Sequence, residues 1–261
     1  MMHRERALMA GALRDALRPR RLLATLLLIG LPAALGVLWR VFTPAADFVP
    51  EDAYDRLVPS LIFSFALTIL AVIYGTGVLS QEIEQKTIVY LLTRPVPRWR
   101  LLLSRFAAAL LVIGVTVTLS ALLLALVLFG PGGLAAAGVG RDLRALLIGV
   151  LAYASLFLMI ATLLPRPLTY GLLFVFGWET WVPSLPGAFA RLSVMSYLRA
   201  LAPHEAAVES AGGGFLQAFN PPKAIPPAQA WWTLVLIAAV SLAVSLVVFS
   251  LREYAPRDDV E

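Results

Sequence analysis

The sequence predicts an all-α membrane protein that crosses the bilayer about six times and forms a single transmembrane domain over residues 1–261. Its mean hydropathy is +0.83, with 60% hydrophobic and only 14% charged residues. A soluble domain of this length could not bury so much apolar surface. The apolar residues also fall in long runs, and about 20 such residues in a helix cross a hydrocarbon core of about 30 Å.

Six runs are long enough to span the membrane. Each is expected to be a helix, because backbone polar groups in lipid must be paired within their own segment. The runs cover about residues 22–42, 57–79, 102–129, 143–164, 167–185 and 231–251. The fifth run is the least apolar of the six, since it contains the acidic residue Glu179.

The basic residues predict that both termini lie in the cytosol. If the six runs alternate across the membrane, 14 of the 21 Lys and Arg residues fall on the side of the termini. Lys and Arg are enriched in the cytosolic flanks of membrane spans. Because these residues lie at the ends of apolar runs and form no stripe, they do not indicate nucleic-acid binding.

Few residues of the types that carry catalysis or bind metals are present. The chain has no cysteine, which excludes disulfides and thiolate metal sites. His204 is close in sequence to Glu205 and Glu209 on a predicted outer loop, but one histidine and two carboxylates there make a poor metal site. We therefore expect no metal site, and we assign no catalytic residue.

Two segments outside the six runs have helical periodicity. Residues 7–17 predict a basic amphipathic helix on the cytosolic leaflet, with an ordinary positive-inside flank as the alternative. The long outer segment 186–230 contains apolar residues at helical spacing over 189–201. We expect an interfacial or re-entrant helix there, on the outer side of the membrane.

The cytosolic loop 80–101, between the second and third runs, has its own pattern. Residues 81–92 are amphipathic, with Glu82 and Glu84 among the polar positions. Pro95 and Pro97 stop that helix, since proline cannot continue a helix and biases its neighbour to an extended form. A new helix is predicted to start near Arg98.

This loop resembles that of the permease subunits of ATP-binding-cassette exporters of the second type. The family pattern after the second span is close to E-x-E-x-G-T-[IL]-x-x-L-L-[ST]-x-P-[VI]-x-R. The chain matches it with Glu82, Glu84, Thr87, Ile88, Leu91, Leu92, Thr93, Pro95, Val96 and Arg98. Lys86 departs from the usual glycine, and Arg105 takes the usual lysine position.

The resemblance extends over the whole chain. Six spans, a cytosolic amphipathic N-terminus and a long outer segment before the last span are all similar to the family. Residues 170–198 resemble the fifth span of the subgroup that includes the copper-maturation permease. The resemblance implies a prokaryotic cell membrane and a permease dimer, formed from two identical or two different chains.

The resemblance also implies that segment 80–98 couples the permease to two separate ATPase subunits. The residues that it assigns to coupling are Glu82, Glu84, Lys86, Thr87, Arg94, Pro95 and Arg98. The chain has no G-x-x-x-x-G-K-[ST] motif, so ATP would be bound by the partner subunits and no cofactor is expected in this chain. The alternative is a solvated loop whose arginines only enforce the topology.

Glu179 is the candidate residue for a transport pathway or a gate. An ionisable side chain inside a span is costly in lipid and is a functional candidate by default. Either Glu179 lines or gates a cavity at the dimer interface, or it lies near the outer headgroups and pairs with Arg191 or Arg199. On the first interpretation, Glu179→Gln would abolish transport while folding and ATPase association stay intact.

Two other classes of function remain as alternatives to a transport subunit. A polytopic membrane enzyme, such as a lipid-modifying transferase, would need convergent His, Asp, Ser or Cys groups at the spans. A membrane scaffold would bind partners without transport. The apolar spans suit an amphiphilic drug or lipid as the substrate, but they would equally allow a peptide or a polar precursor.

Overall fold

The computed structural model of the protein describes residues 19–44, 46–84, 98–132, 138–182, 189–204 and 225–251. Within these ranges every regular element is helical. The α-helices are α1 (Pro19–Phe42), α2 (Pro50–Leu57), α3 (Thr68–Glu84), α4 (Arg98–Phe129), α5 (Val139–Leu163), α6 (Pro167–Leu173), α7 (Val194–Leu201) and α8 (Pro227–Leu251). Wider π-helical turns cover Val58–Leu67 and Phe174–Glu179, and a 3₁₀ turn covers Phe189–Leu192.

Five of the six predicted spans are confirmed as helices long and apolar enough to cross a membrane. They are Leu22–Phe42, Pro50–Val78, Trp99–Phe129, Val139–Leu163 and Pro227–Leu251. The second begins earlier than the apolar run predicts, because α2 and the π-helical turns continue directly into α3. Pro50 fits the first turn of a helix, and the carboxylates of Glu51 and Asp52 favour its positive N-terminal end.

The fifth predicted run, 167–185, forms a shorter and less regular helical segment. Pro167 starts α6, which passes into the π-helical turn Phe174–Glu179. The described part of this segment ends at Val182, short of the roughly 20 residues that a perpendicular crossing needs. A sixth span is therefore not confirmed.

Helix α5 lies at the centre of the bundle. It packs against α3, α4 and α8, whereas α1 packs mainly along α4. Its side chains Tyr153, Phe157 and Leu158 are completely buried. The close contact between α3 and α5 depends on Gly75, where an added Cβ would come within 2.9 Å of Phe157 Cβ and 3.2 Å of the Ala154 carbonyl oxygen.

The helix predicted over 189–201 is present, but it is interrupted. A 3₁₀ turn over Phe189–Leu192 is followed by Ser193 in an extended conformation and then by α7. The apolar face of α7 is buried against α5 and α8 rather than left free to lie on lipid. Leu198, fully buried, would be 3.0 Å from a Cβ added at Gly149 of α5, so glycine permits this close approach.

Candidate functional site

The residues predicted to couple to an ATPase lie at the junction of α3 and α4. Glu82 and Glu84 belong to the last turns of α3, and Arg98 is the first residue of α4. Outside the described residues lie Lys86, Thr87, Arg94 and Pro95, together with the predicted N-terminal helix 7–17. The coupling role of this segment stays a prediction.

The opposite end of the bundle holds the polar side chains whose geometry is described. We call it the distal end: there α1 and α4 end, and α2 and α5 begin. Arg40, near the end of α1, donates a 3.3 Å hydrogen bond to the carbonyl oxygen of Val127 in α4. Its guanidinium carbon also lies 5.9 Å from the centroid of the Phe48 ring, so Arg40 makes a cation–π contact at the same end of the bundle.

Glu179 lies in this half of the molecule, and its carboxylate caps the N-terminus of α7. The hydroxyl of Ser193 donates a 2.6 Å hydrogen bond to Oε2 of Glu179. The backbone N–H groups of Val194 and Met195 donate bonds of 3.0 and 3.1 Å to its two carboxylate oxygens. The first N–H groups of a helix have no partner within the helix, and the helix dipole favours a negative charge there.

Both sequence interpretations concern the surroundings of the Glu179 side chain. Within the protein, that side chain is almost completely buried. Among the described ion pairs none joins it to Arg191 or Arg199. Arg199 is nevertheless close enough to interact with its charge: burial lowers the pKa of the Arg199 guanidinium, and Tyr153 and Glu179 partly offset that effect.

A second polar cluster at the distal end joins three separate elements. His204, which follows α7, places Nδ1 2.7 Å from Oδ1 of Asp55 in α2. Its Nε2 lies 3.3 Å from Oδ1 of Asp142 in α5, an ion-pair contact rather than an aligned hydrogen bond. The side chains of His204 and Asp142 are buried, and that of Asp55 is 35% exposed.

Further contacts fix the buried carboxylate of Asp142. The hydroxyl of Tyr54 donates a 2.9 Å hydrogen bond to Oδ2 of Asp142. The Nε atom of Arg141, a half-exposed residue, lies 3.5 Å from Oδ1 of the same carboxylate. The Tyr54 ring meets Phe129 edge to face, with centroids 5.3 Å apart, so the apolar end of α4 shields the cluster.

The carboxylates determine the titration of His204. Burial lowers the pKa of His204, but the contacts with Asp142 and Asp55 and their negative charges outweigh it, so the net pKa lies above the ordinary value. A raised pKa favours the imidazolium, which carries an N–H on each ring nitrogen. The cluster can therefore hold a proton between two helices that are distant in sequence.

The partners that the structure gives His204 are not the residues that sequence reasoning considered beside it. It grouped His204 with Glu205 and Glu209, which lie outside the described residues. Asp142 was not singled out, although an acidic residue in the first turn of a span is a detectable signal for a helix N-terminus. Within the described ranges, no group of three His, Cys, Asp or Glu residues has the arrangement of a metal site.

A known protein family matches almost the whole chain. A protein-family model described as "ABC-2 family transporter protein" matches residues 7–254, which is nearly the whole chain. No curated protein sequence matches the chain. The match includes both the segment between α3 and α4 and the distal end.

Proposed function

Since the chain belongs to the ABC-2 transporter family, as a multi-pass membrane transport subunit, we propose that it is the permease of an exporter powered by separate ATPase subunits. The observation that supports this most is the family match over 7–254, combined with five apolar helices of membrane-crossing length. The family implies ATPase partners. We further propose two ATPases for each complex and a second permease chain, identical or different.

The proposed topology has six spans with both termini in the cytosol of a prokaryotic cell. In this topology segment 167–185 is a short crossing, the fifth along the chain, and it extends beyond Val182. The distal end then faces outward, and the junction of α3 and α4 faces the cytosol. The distribution of Lys and Arg supports this orientation. Residues 170–198 support a place in the subgroup that includes the copper-maturation permease.

Segment 80–98 is the proposed docking site for the ATPase. It connects α3 directly to α4, and both helices pack on α5 at the centre of the bundle. A displacement at this segment would therefore reach α5 through two helices. Acidic and basic residues in a short segment between two helices suit an interface that must be specific and reversible.

Glu179 and α7 are the proposed gate at the outer end. The carboxylate holds the start of a helix whose apolar face is packed between α5 and α8. A movement of α5 driven from the cytosolic side would either break the contact between α5 and α7 or move α7 together with α5. Glu179 acts in this proposal as a positioning residue for α7.

The coupling proposal is tested with ABC-type ATPases from the same organism, beginning with any that a neighbouring reading frame encodes. The permease and one such ATPase are co-expressed, purified through a tag on the permease and reconstituted in lipid vesicles. We expect the ATPase to co-purify and its hydrolysis rate to rise in the presence of the permease. A Glu82→Gln/Glu84→Gln double variant should lower binding, stimulation or both.

The matched control is Glu51→Gln/Asp52→Gln, which removes two exposed carboxylates from the distal end. It should leave ATPase binding and stimulation unchanged. If the Glu82/Glu84 variant retained binding and full stimulation, the segment would not couple the two subunits. If no ATPase bound the unaltered chain under any condition, a membrane scaffold would become the better account.

A further inference from the structure

Helix α7 is attached to the bundle by polar contacts at both of its ends. At its start, Glu179 accepts hydrogen bonds from the backbone N–H groups of Val194 and Met195. Beyond its end at Leu201, His204 contacts Asp55 of α2 and Asp142 of α5. The first attachment joins a carboxylate to backbone N–H groups, whereas the second depends on a histidine.

Only a protonated imidazole satisfies both contacts of His204. Its two ring nitrogens face two different carboxylates, at 2.7 Å for Asp55 and 3.3 Å for Asp142. A neutral imidazole has one N–H and one lone pair, so one carboxylate would then face a lone pair. The imidazolium presents an N–H and positive charge to both.

The other charged groups on the surrounding helices do not replace this contact. On α5, Arg141 forms an ion pair with Asp142. Arg144 donates a hydrogen bond to the Gly140 carbonyl oxygen of the same helix. On α2, Arg56 lies over the ring of Trp39. The remaining acidic residues of α2, Glu51 and Asp52, are exposed, and the described part of α8 carries no charged residue.

We propose that His204, Asp55 and Asp142 form a proton-binding site that fastens the end of α7, and that loss of the His204 proton releases α7 from α2. The ligand of the site is a proton from the aqueous phase at the distal end. The family match assigns no role to these three residues, and they lie outside the proposed coupling segment. Its effect on transport rests on the proposed function, but the proton site itself does not.

The contact with Asp55 is the one that opens. Asp142 is completely buried, so water cannot screen its charge from a lone pair on Nε2, and the one N–H of a neutral His204 is needed there more than at Asp55. Asp55 is 35% exposed, and water can replace the histidine as its partner. Deprotonation therefore separates α2 from the end of α7 while α5 stays in place.

The test begins with the titration of His204 itself. The chain has only two histidines, so a His3→Gln variant with isotope-labelled histidine gives one ring signal in detergent micelles. We expect its midpoint above the ordinary value of 6.5. A midpoint at or below that value would overturn the proposal, whatever the protein transports.

Two substitutions on α2 separate the contact from general surface charge. In the same background, Asp55→Asn should lower the His204 midpoint, because it removes one of the two facing charges. Asp52→Asn removes an exposed carboxylate from the same helix and should leave the midpoint unchanged. Equal midpoints in the two variants would show that Asp55 does not hold the proton.

Release of α7 is read from amide hydrogen exchange over residues 194–204. Below the midpoint, the unaltered protein should exchange more slowly there than a His204→Gln variant at the same pH. Above the midpoint the two should converge. Identical exchange at every pH would show that the site does not hold α7 in place, even if the midpoint of the His204 titration were high.

The link to transport is tested in the reconstituted complex with its ATPase. Permease-stimulated hydrolysis should change with pH around the His204 midpoint, and Asp55→Asn should shift that profile to lower pH. An unshifted profile with a shifted midpoint would overturn the link between the site and transport. Absence of any stimulated hydrolysis would instead contradict the proposed function and leave the titration result standing.

Discussion

The carboxylate of Glu179 closes the N-terminus of helix α7, where its Oε2 accepts a 2.6 Å hydrogen bond from the hydroxyl of Ser193. The two residues are 14 positions apart. The contact joins the end of the irregular segment that starts at Pro167 to the start of the helix buried against α5 and α8. Among the described contacts, the Glu179 carboxylate is the only side-chain group of 167–182 that accepts hydrogen bonds from the α7 backbone.

Glu179→Gln should lower the stability of the protein. A carboxylate accepts bonds from Ser193, Val194 and Met195 with both of its oxygens. A glutamine has one acceptor oxygen, and its NH₂ group would face at least one buried donor. The expected loss is about 1–3 kcal/mol, the cost of an unsatisfied buried group, measured by thermal unfolding in detergent.

Glu51→Gln is the matched control for that substitution, because Glu51 is exposed on α2. Equal unfolding temperatures for the two variants would contradict the capping role of Glu179. The pathway interpretation of the sequence predicted that Glu179→Gln would leave folding intact, since no local pattern shows three donors converging on this side chain. Transport assays of the variant must therefore be normalised to the amount of folded protein.

Ser193→Ala should have a smaller effect than Glu179→Gln. It removes the hydroxyl bond, but the two backbone N–H bonds to Glu179 remain. We expect a loss of about 1 kcal/mol, typical of one lost intramolecular hydrogen bond. Ser196→Ala, within α7, is the control, and the Glu179→Gln/Ser193→Ala double variant should lose less than the sum of the two single losses. Strict additivity would show that the two side chains do not interact.

Gly75→Ala should destabilise the contact between α3 and α5. The added Cβ would lie 2.9 Å from Phe157 Cβ and 3.2 Å from the Ala154 carbonyl oxygen, and neither atom is the end of a flexible side chain. Overpacking of this kind costs about 1–3 kcal/mol. The unfolding temperature and the yield of folded protein should both fall.

Gly30→Ala in α1 provides the comparison, since no atom lies within 4 Å of its added Cβ. Alanine is a better helix former than glycine, so this variant should be as stable as the unaltered protein or slightly more stable. If the two alanine variants unfolded at the same temperature, the α3–α5 contact would not be as close as the structure shows.

Local sequence predicted the helices because each apolar run carries its own signal. Residues 22–42 and 102–129 were placed to within a few residues, since a continuous apolar stretch requires no knowledge of its neighbours. The run 167–185 is not confirmed as a span. Its apolar composition does not reveal the wide turns at Phe174–Glu179, which depend on packing.

The distal cluster could not be predicted in the same way. His204 and Asp55 are 149 positions apart, and Tyr54 and Asp142 are 88 positions apart. Only the packing of α2, α5 and α7 brings these groups together, and one sequence carries no signal of that packing. Glu179 was found because a charge in an apolar run is visible locally, but its partner, the N-terminus of α7, was not.

His204→Gln should reduce stability in a way that depends on pH. The pKa of His204 is raised in the folded protein, because Asp142 and Asp55 outweigh the effect of burial. Its proton therefore stabilises the folded state fully below the unfolded pKa of about 6.5. That contribution is lost as the pH rises through the folded pKa.

The difference in unfolding temperature between the unaltered protein and His204→Gln should thus be larger at about pH 6 than at about pH 9. Glutamine keeps a polar side chain of similar reach but cannot titrate in this range. His3→Gln serves as the control for a titratable histidine elsewhere in the chain and should show the pH dependence of the unaltered protein. A constant difference across the range would mean that His204 contributes packing alone, and a difference that grew with pH would mean that the buried histidine is neutral in the folded state.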